Sequence, residues 1–326
     1  MSTPSRARRL FPRLLLAGGA VGLLLIGLNF VGNVMSGGPQ QPEGAPGIPM
    51  DLSDIPALEP DDELGWTLAP STETVWGEHA VRSNSLGLRA DEPNGEPGVV
   101  VVGDSSAFGD GVPQDATFST GLARRVVADV QNAGLPGFTC LQSLAKLRRV
   151  TTSWTPEILV VYSLHSDARR AGANDRIVVE HQLGWLGETG VGQLLADAAL
   201  KLRVARGGSN LDLPAYEACL HDLADEVEKT FFVVPVSQRS FEELAHDGPD
   251  MLGGAEDRVT AYERTIEQVA MDRGLPFLRA GEALVSQGLD AETAMLDPIH
   301  PNEAGHAGIA EALAGELLEL RWVAAR

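Results

Sequence analysis

Basic residues are scarce in this 326-residue chain: 25 Lys and Arg face 45 Asp and Glu, a formal charge of −20. Four of those cations, Arg6, Arg8, Arg9 and Arg13, precede the first acid, Glu43, so the remainder carries −24. A surface of that sign repels phosphate backbones, which argues against nucleic acid as a partner. Cysteine is nearly absent. Cys140 and Cys219 form no C-x-x-C pair, and no H-E-x-x-H or Cys/His cluster suggests zinc. Outside the cytoplasm the two could pair. Each falls in a helical stretch, however, and the expectation is two separately buried thiols acting as small hydrophobes. No cofactor is called for. There is no G-x-x-x-x-G-K-[ST] loop, and "GDGVPQ" fails the G-x-G-x-x-G dinucleotide pattern. "GDSSAFG" has Ala107 where the G-x-S-x-G nucleophile elbow needs glycine. Internal repeats are lacking too.

Long apolar runs are equally rare, with one exception. Residues 14–35 hold no charge in 22 positions. That is long enough to cross a hydrocarbon core of roughly 30 Å at about 1.5 Å per residue. Arginines before the run and none shortly after it predict residues 1–13 in the cytoplasm. The body would then lie outside the membrane, periplasmic or extracellular. A cleaved signal peptide is the alternative, though the run is long for one and no A-x-A site follows. Either way the body is exported.

Residues 36–62 are rich in Gly and Pro and read as a semi-extended tether. Residues 63–97 read as a small extension packed on the main domain, which spans 98–326. There the pattern alternates. Strands are expected at 99–102, 129–134, 157–164, 231–236 and 275–280, and helices at 118–128, 141–150, 213–229, 256–273 and 303–322. The first of these helices would be capped near Asp115 or Thr117. An insertion at 168–215 carries two more helices, of which 191–204 is amphipathic. The first strand is β-branched throughout, the mark of burial on both faces. Such alternation predicts right-handed parallel βαβ units with helices on both faces, and a site beyond the carboxyl ends of the strands.

Ser105 follows the first such end. Alone, Gly103-Asp104-Ser105 reads equally as a strand-to-helix turn. The other end of the chain holds Asp297 and His300, three residues apart, before a helix that Asn302 can cap. A serine is inert until a base takes its proton, and a histidine of pKa about 6.5 suits that role. A carboxylate on Nδ1 would hold the ring in one tautomer. The plain alternative is an acid approaching a helix and a surface histidine. His306 is a rival base, but it falls inside the helix. Asn132 and Gly134 lie beyond the second strand, where a glycine N–H can approach a developing oxyanion or simply form a tight turn.

Gly103-Asp104-Ser105, Asn132-x-Gly134-x-x-Gly137 and Asp297-x-x-His300-Pro301 resemble, in order, the signature blocks of the GDSL/SGNH hydrolase family. The resemblance covers roughly Gly98 to the C-terminus. It implies a flavodoxin-like three-layer α/β/α fold with a mostly parallel five-stranded sheet. It also implies a serine esterase working through an acyl-enzyme, with Ser105 as nucleophile, His300 as base and Asp297 as its orienter. The amides of Ser105 and Gly134 would be oxyanion donors, with Asp104 and Asn132 in the same blocks. The substrate would be an ester-bearing small molecule, lipid or glycan. Acetyl transfer onto a polysaccharide shares this triad, and a degenerate domain binding envelope glycan or protein is the non-catalytic alternative. "NSLGLR" (residues 84–89) and Phe108-Gly109-x-Gly111-Val112 are similar to membrane-anchored, envelope-facing members. One block departs: the family's G-x-N-D reads here Leu164-His165-Ser166-Asp167. Losing an asparagine donor to an oxyanion costs on the order of 10²–10³ in kcat. Ser166, acting through water, or His165 is the candidate replacement.

Overall fold

Five strands form the spine: β1 (Gly98–Gly103), β2 (Asp129–Asn132), β3 (Ile158–Tyr162), β4 (Lys229–Val234) and β5 (Phe277–Arg279). They pair in the order 2-1-3-4-5, every pairing parallel. This is the flavodoxin-like order, which switches direction between β1 and β3. The computed structural model describes residues 58–95, 98–171, 176–183, 186, 189–206, 208–241 and 256–326. The run at 14–35 and the tether up to residue 57 lie outside the described residues. Among the described residues no helix is long and apolar enough to cross a membrane.

The helices are α1 (Ser105–Phe108), α2 (Phe118–Ala123), α3 (Cys140–Thr151), α4 (His165–Ala168), α5 (Arg176–Leu183) and α6 (Gly190–Ala205). They continue with α7 (Leu213–Glu226), α8 (Glu256–Arg273), α9 (Ala280–Ser286), α10 (Ala291–Ala294) and α11 (Glu303–Glu319). Alternate side chains of each strand point to opposite faces, and in β1, β3 and most of β4 both sets are apolar. Val100, Val102, Leu159, Val161, Phe232 and Val234 pack under α3, α7 and α8. Val99, Val101, Ile158, Val160, Phe231 and Val233 pack under α2, α9 and α11. The result is three layers.

Two antiparallel hairpins precede the sheet, Leu58–Asp61 with Gly65–Leu68 and Glu73–Trp76 with His79–Arg82. The domain boundary expected at residue 62 falls inside the first. Leu64, Trp66, Leu68 and Val81 bury against Phe108, Leu135 and Phe138. Trp66 Nε1 donates to the Pro136 carbonyl at 3.1 Å. The extension thus closes over one side of α1.

Two expectations need correction. The helix expected over 118–128 stops at Ala123, because Val126–Val127 pairs antiparallel with Ala324–Ala325. A β-branched pair with a strand partner prefers that pairing to another helical turn. Cys140 and Cys219 are not separate thiols. They form a disulfide joining α3 to α7, with Cα atoms 6.1 Å apart. Both helices lie on the same face of the sheet, a neighbourhood that 79 residues of separation conceal.

Candidate active site

β1 delivers Ser105 to the carboxyl edge through a backbone only glycine adopts. Gly103 has φ +154°, and a Cβ there would sit 1.8 Å from the Tyr162 carbonyl oxygen. Asp104 then caps α1, its Oδ1 accepting the Ser106 N–H at 3.1 Å. Its Oδ2 accepts the Ser166 N–H at 3.1 Å, which ties the end of β1 to the start of α4. Ser105 is the first residue of α1.

A helix of one turn cannot hold itself, so its carbonyl end needs partners. Arg89 supplies most of them. Its Nη1 donates to the carbonyls of Phe108 (2.9 Å) and Gly109 (2.7 Å), and its Nη2 to that of Val112 (2.8 Å). The side chain is buried, and its guanidinium carbon lies 4.5 Å from the Phe108 ring centroid. A cation at a helix C-terminus is favoured by the exposed carbonyl dipoles. Burial lowers its pKa to about 10, which leaves it charged at neutral pH. The "NSLGLR" stretch places it. Asn84 Oδ1 accepts the N–H groups of Leu86 and Leu88 at 3.0 and 3.1 Å, and Asn84 Nδ2 donates to Gln131 Oε1 on β2 at 2.6 Å.

His300 lies in the loop between α10 and α11. That loop closes on itself, the Leu296 N–H donating to the His300 carbonyl at 2.8 Å. Asp297 Oδ1 accepts the N–H groups of Ile299 and His300, each at 2.9 Å. Asp297 Oδ2 stands 2.7 Å from His300 Nδ1, and His300 Nε2 stands 2.8 Å from Ser105 Oγ. A carboxylate only accepts, so Nδ1 carries the proton and Nε2 offers its lone pair to the hydroxyl. Next door Ser106 Oγ donates to the Ile299 carbonyl at 2.9 Å, bolting the two loops together across 193 residues. Burial alone would lower the pKa of His300. The hydrogen bond and charge of Asp297 outweigh it, and the net shift is upward from 6.5. Burial likewise opposes ionisation of Asp297, but the bond and charge of His300 win, and its pKa falls below 3.8.

The remaining expected residues take other positions. Gly134 lies against α1, where a Cβ would be 2.8 Å from the Phe108 nitrogen. Its N–H, expected to serve an oxyanion, already donates to Asn132 Oδ1 at 3.0 Å. Asn132 is buried, and its Nδ2 donates to the carbonyl of Ala107 and to Ser119 Oγ. Asn132 and Asp104 therefore hold the turn around Ser105 with their polar atoms rather than offering them to a substrate. Ser166 is 7% exposed; its N–H is engaged by Asp104 and its carbonyl accepts from Asn210 Nδ2 at 3.0 Å. His165 is buried with Nε2 3.2 Å from the Val236 carbonyl, so Nε2 is the protonated nitrogen. Burial keeps its pKa low, and a neutral ring in this tautomer presents a lone pair at Nδ1, not a donor. His306 is no rival base. It is buried in the core, accepts the Phe118 N–H on Nδ1 at 3.2 Å, and burial takes its pKa to about 3.

Sequence reasoning missed Arg89, Ser106 and Asp167 as organisers. Asp167 Oδ1 accepts the Cys140 N–H at 2.8 Å and Oδ2 the Ser163 hydroxyl at 2.9 Å. Full burial drives its pKa to about 7 despite those bonds. Arg89 had a signal: an arginine ending the "NSLGLR" turn just ahead of β1.

No curated protein matches the chain. Among solved structures it is similar to the lipase/acylhydrolase from Enterococcus faecalis, at 16% identity and a TM-score of 0.44, covering 71% of this chain and 98% of that one. It is also similar to Axe2, an acetylxylan esterase from Geobacillus stearothermophilus, at 20% identity and a TM-score of 0.41, covering 69% and 95%. A third is LAE5, an alpha/beta hydrolase enzyme from the metagenome of Lake Arreo, Spain, at 18% identity and 0.43, covering 68% and 95%. The family model described as GDSL-like Lipase/Acylhydrolase matches residues 101–307, more than half of the sequence, and the chain belongs to that family.

Proposed function

We propose that this chain is an exported serine esterase in which Ser105, His300 and Asp297 act together. The observation that carries the reading is the unbroken line from Ser105 Oγ to His300 Nε2 at 2.8 Å and from His300 Nδ1 to Asp297 Oδ2 at 2.7 Å. His300 Nε2 takes the Ser105 proton as Oγ bonds to the acyl carbon. The same proton passes to the departing alcohol as the ester C–O bond breaks. Water, activated by His300, then releases the acid from the acyl-enzyme. The Ser105 N–H, at the start of α1, is the oxyanion donor that the family resemblance implies. The anchor at residues 14–35 would hold the domain on the outer side of the membrane. The Cys140–Cys219 disulfide supports that location, because such bonds persist in oxidising compartments.

Turnover of p-nitrophenyl acetate by the full chain tests this reading. Ser105→Ala and His300→Ala should each lose nearly all activity while keeping the wild-type fold by circular dichroism. Wild-type turnover in both variants would overturn it. A second, non-catalytic reading rests on a specific observation. Ser166 replaces the family's asparagine, and the Gly134 N–H is already engaged by Asn132. A domain that only binds envelope glycan or protein would show no serine-dependent ester turnover even when correctly folded. Acyl transfer to a sugar hydroxyl would appear instead as acylated sugar among the products.

A further inference from the structure

The insertion between β3 and β4 carries an apolar surface that the fold does not use. α6 buries Gly192, Ala196 and Leu200, the last two against Leu183 of α5. Its opposite side is apolar as well. At about 100° per residue, Leu194, Leu195, Ala198, Ala199, Leu202 and Ala205 share one arc of roughly 140°, and all six are exposed. Leu195 is 47% and Leu202 51% exposed. Lys201 and the C-cap residue Arg206, both exposed, flank the part of the arc that holds Leu194, Ala198, Leu202 and Leu195. A helix apolar on both sides is one that something covers on both sides, and a contiguous exposed patch of this kind marks an interaction site.

Three observations choose the occupant. First, the uncharged run at 14–35 is joined to Leu58 by 22 residues. Twenty-two residues can reach at most about 75 Å, so an anchored run would keep the domain within that distance of the bilayer. If the run is anchored, the domain is confined near the bilayer, and even a weak interfacial helix finds it at high effective concentration. This step rests on the anchor reading above. Second, residues 169–206 hold six Lys and Arg against four Asp and Glu, a net +2 in a chain of −20. An anionic headgroup layer repels most of this protein but not this part. Lys201 and Arg206 can lay their stems along the apolar arc and keep their charges among the headgroups. Third, α6 is fastened to the site. Arg203 Nη1 donates to the Asn210 carbonyl at 2.6 Å, and Asn210 Nδ2 donates to the Ser166 carbonyl at 3.0 Å.

We propose that α6 lies in the headgroup layer of the bilayer, with Leu194, Leu195, Ala198 and Leu202 turned into the lipid. The Arg203–Asn210–Ser166 links then hold the rim of the Ser105 site beside the membrane surface. An ester presented by a lipid headgroup or a surface glycan would reach the site without leaving that layer.

The test uses the full chain reconstituted in phosphatidylcholine/phosphatidylglycerol vesicles, with Leu195→Cys, Leu202→Cys or, as control, Ser286→Cys labelled by an environment-sensitive dye. Both native cysteines are held in the disulfide and do not take the dye. Labels at 195 and 202 should shift to the blue and be quenched by doxyl-bearing lipids, while the label at 286 should not. Leu195→Glu placed beside the label at 202 should abolish that quenching and leave turnover of soluble p-nitrophenyl acetate unchanged. Carbonate-resistant flotation, measured in parallel, reads the anchor independently. Flotation without quenching overturns the proposal and keeps the anchor, whereas quenching in protein that carbonate extracts keeps the proposal and overturns the anchor. A blue shift without lipid quenching, accompanied by cross-linked dimers through residue 195, would assign the face to a second copy and overturn the proposal.

Discussion

Replacing Arg89 with methionine keeps the buried stem and removes the fork that holds the end of α1. Three carbonyls lose a donor, though unequally. Phe108 O keeps a 3.3 Å contact with Asn132 Nδ2, and Gly109 O keeps a 3.4 Å contact with the Val112 N–H. Val112 O is left with no donor among the described residues. Leaving a buried acceptor unmet costs about 1–3 kcal/mol, and weakening the other two adds to that. Against this, the guanidinium no longer has to be buried, an unfavourable act that its lowered pKa records. The balance is a loss of about 2–3 kcal/mol, below the 3–5 kcal/mol typical when one partner of a buried ion pair is removed. The catalytic effect should exceed what stability alone explains. With the end of α1 loosened, Ser105 Oγ drifts from His300 Nε2, and a misplacement near 1 Å costs on the order of 10²-fold in rate. The assay is urea unfolding followed by tryptophan fluorescence, together with kcat/KM on p-nitrophenyl acetate. Arg89→Lys retains the charge but not the planar fork, and should fall between the two. Wild-type stability and wild-type kcat in Arg89→Met would refute the reasoning; lost stability with unchanged kcat would reduce Arg89 to a strut.

The other predictions concern the triad, the packing at Gly134 and the disulfide. Wild-type kcat/KM should rise with pH through an apparent pKa above 6.5, because His300 must shed a proton that Asp297 helps it keep. Asp297→Asn should lower kcat by about 10⁴ and move that pKa downward, since burial remains while the opposing charge is gone. In stability the same pair has a window. The contribution of Asp297 is present above 3.8 and is lost as pH falls through its depressed folded pKa. That of His300 is complete below 6.5 and is lost as pH rises through its elevated folded pKa. Urea midpoints of wild type and Asp297→Asn should therefore differ most between those two values. Gly134→Ala drives a methyl into the backbone of Ala107 and Phe108, and should cost about 1–3 kcal/mol with a lower kcat. Reducing the Cys140–Cys219 bond, which closes a long loop, should lower stability by about 4 kcal/mol, read as a fall in Tm with dithiothreitol that Cys140→Ala/Cys219→Ala no longer shows.

Most of the sheet was legible because its strands announce themselves. "GVVVVG" and "ILVVY" are apolar on both faces, a pattern that fits a parallel sheet covered on two sides. The helix expected at 256–273 is α8, which ends at Arg273 as expected. The failures share a cause in distant partners. Val126–Val127 leaves the helix for a strand supplied by the last residues of the chain, and Cys140 finds Cys219 only once α3 and α7 lie side by side. In the site, the spacing of Asp297 and His300 already implied a local pair. What spacing cannot show is which polar groups satisfy one another. Asn132 and Gly134 read as a substrate-facing block, yet Asn132 bonds the Gly134 N–H and the end of α1. The "NSLGLR" turn marked Arg89, but its clamping role shows only in the carbonyls around it.

On the proposed reading, a hydroxyl at the end of β1 is made nucleophilic by an imidazole from the far end of the chain. Intact-protein mass spectrometry after a fluorophosphonate tests it most directly. One adduct is expected, on Ser105, absent in Ser105→Ala and formed far more slowly in His300→Ala. No adduct on folded wild-type protein, or an equal rate in His300→Ala, would contradict it.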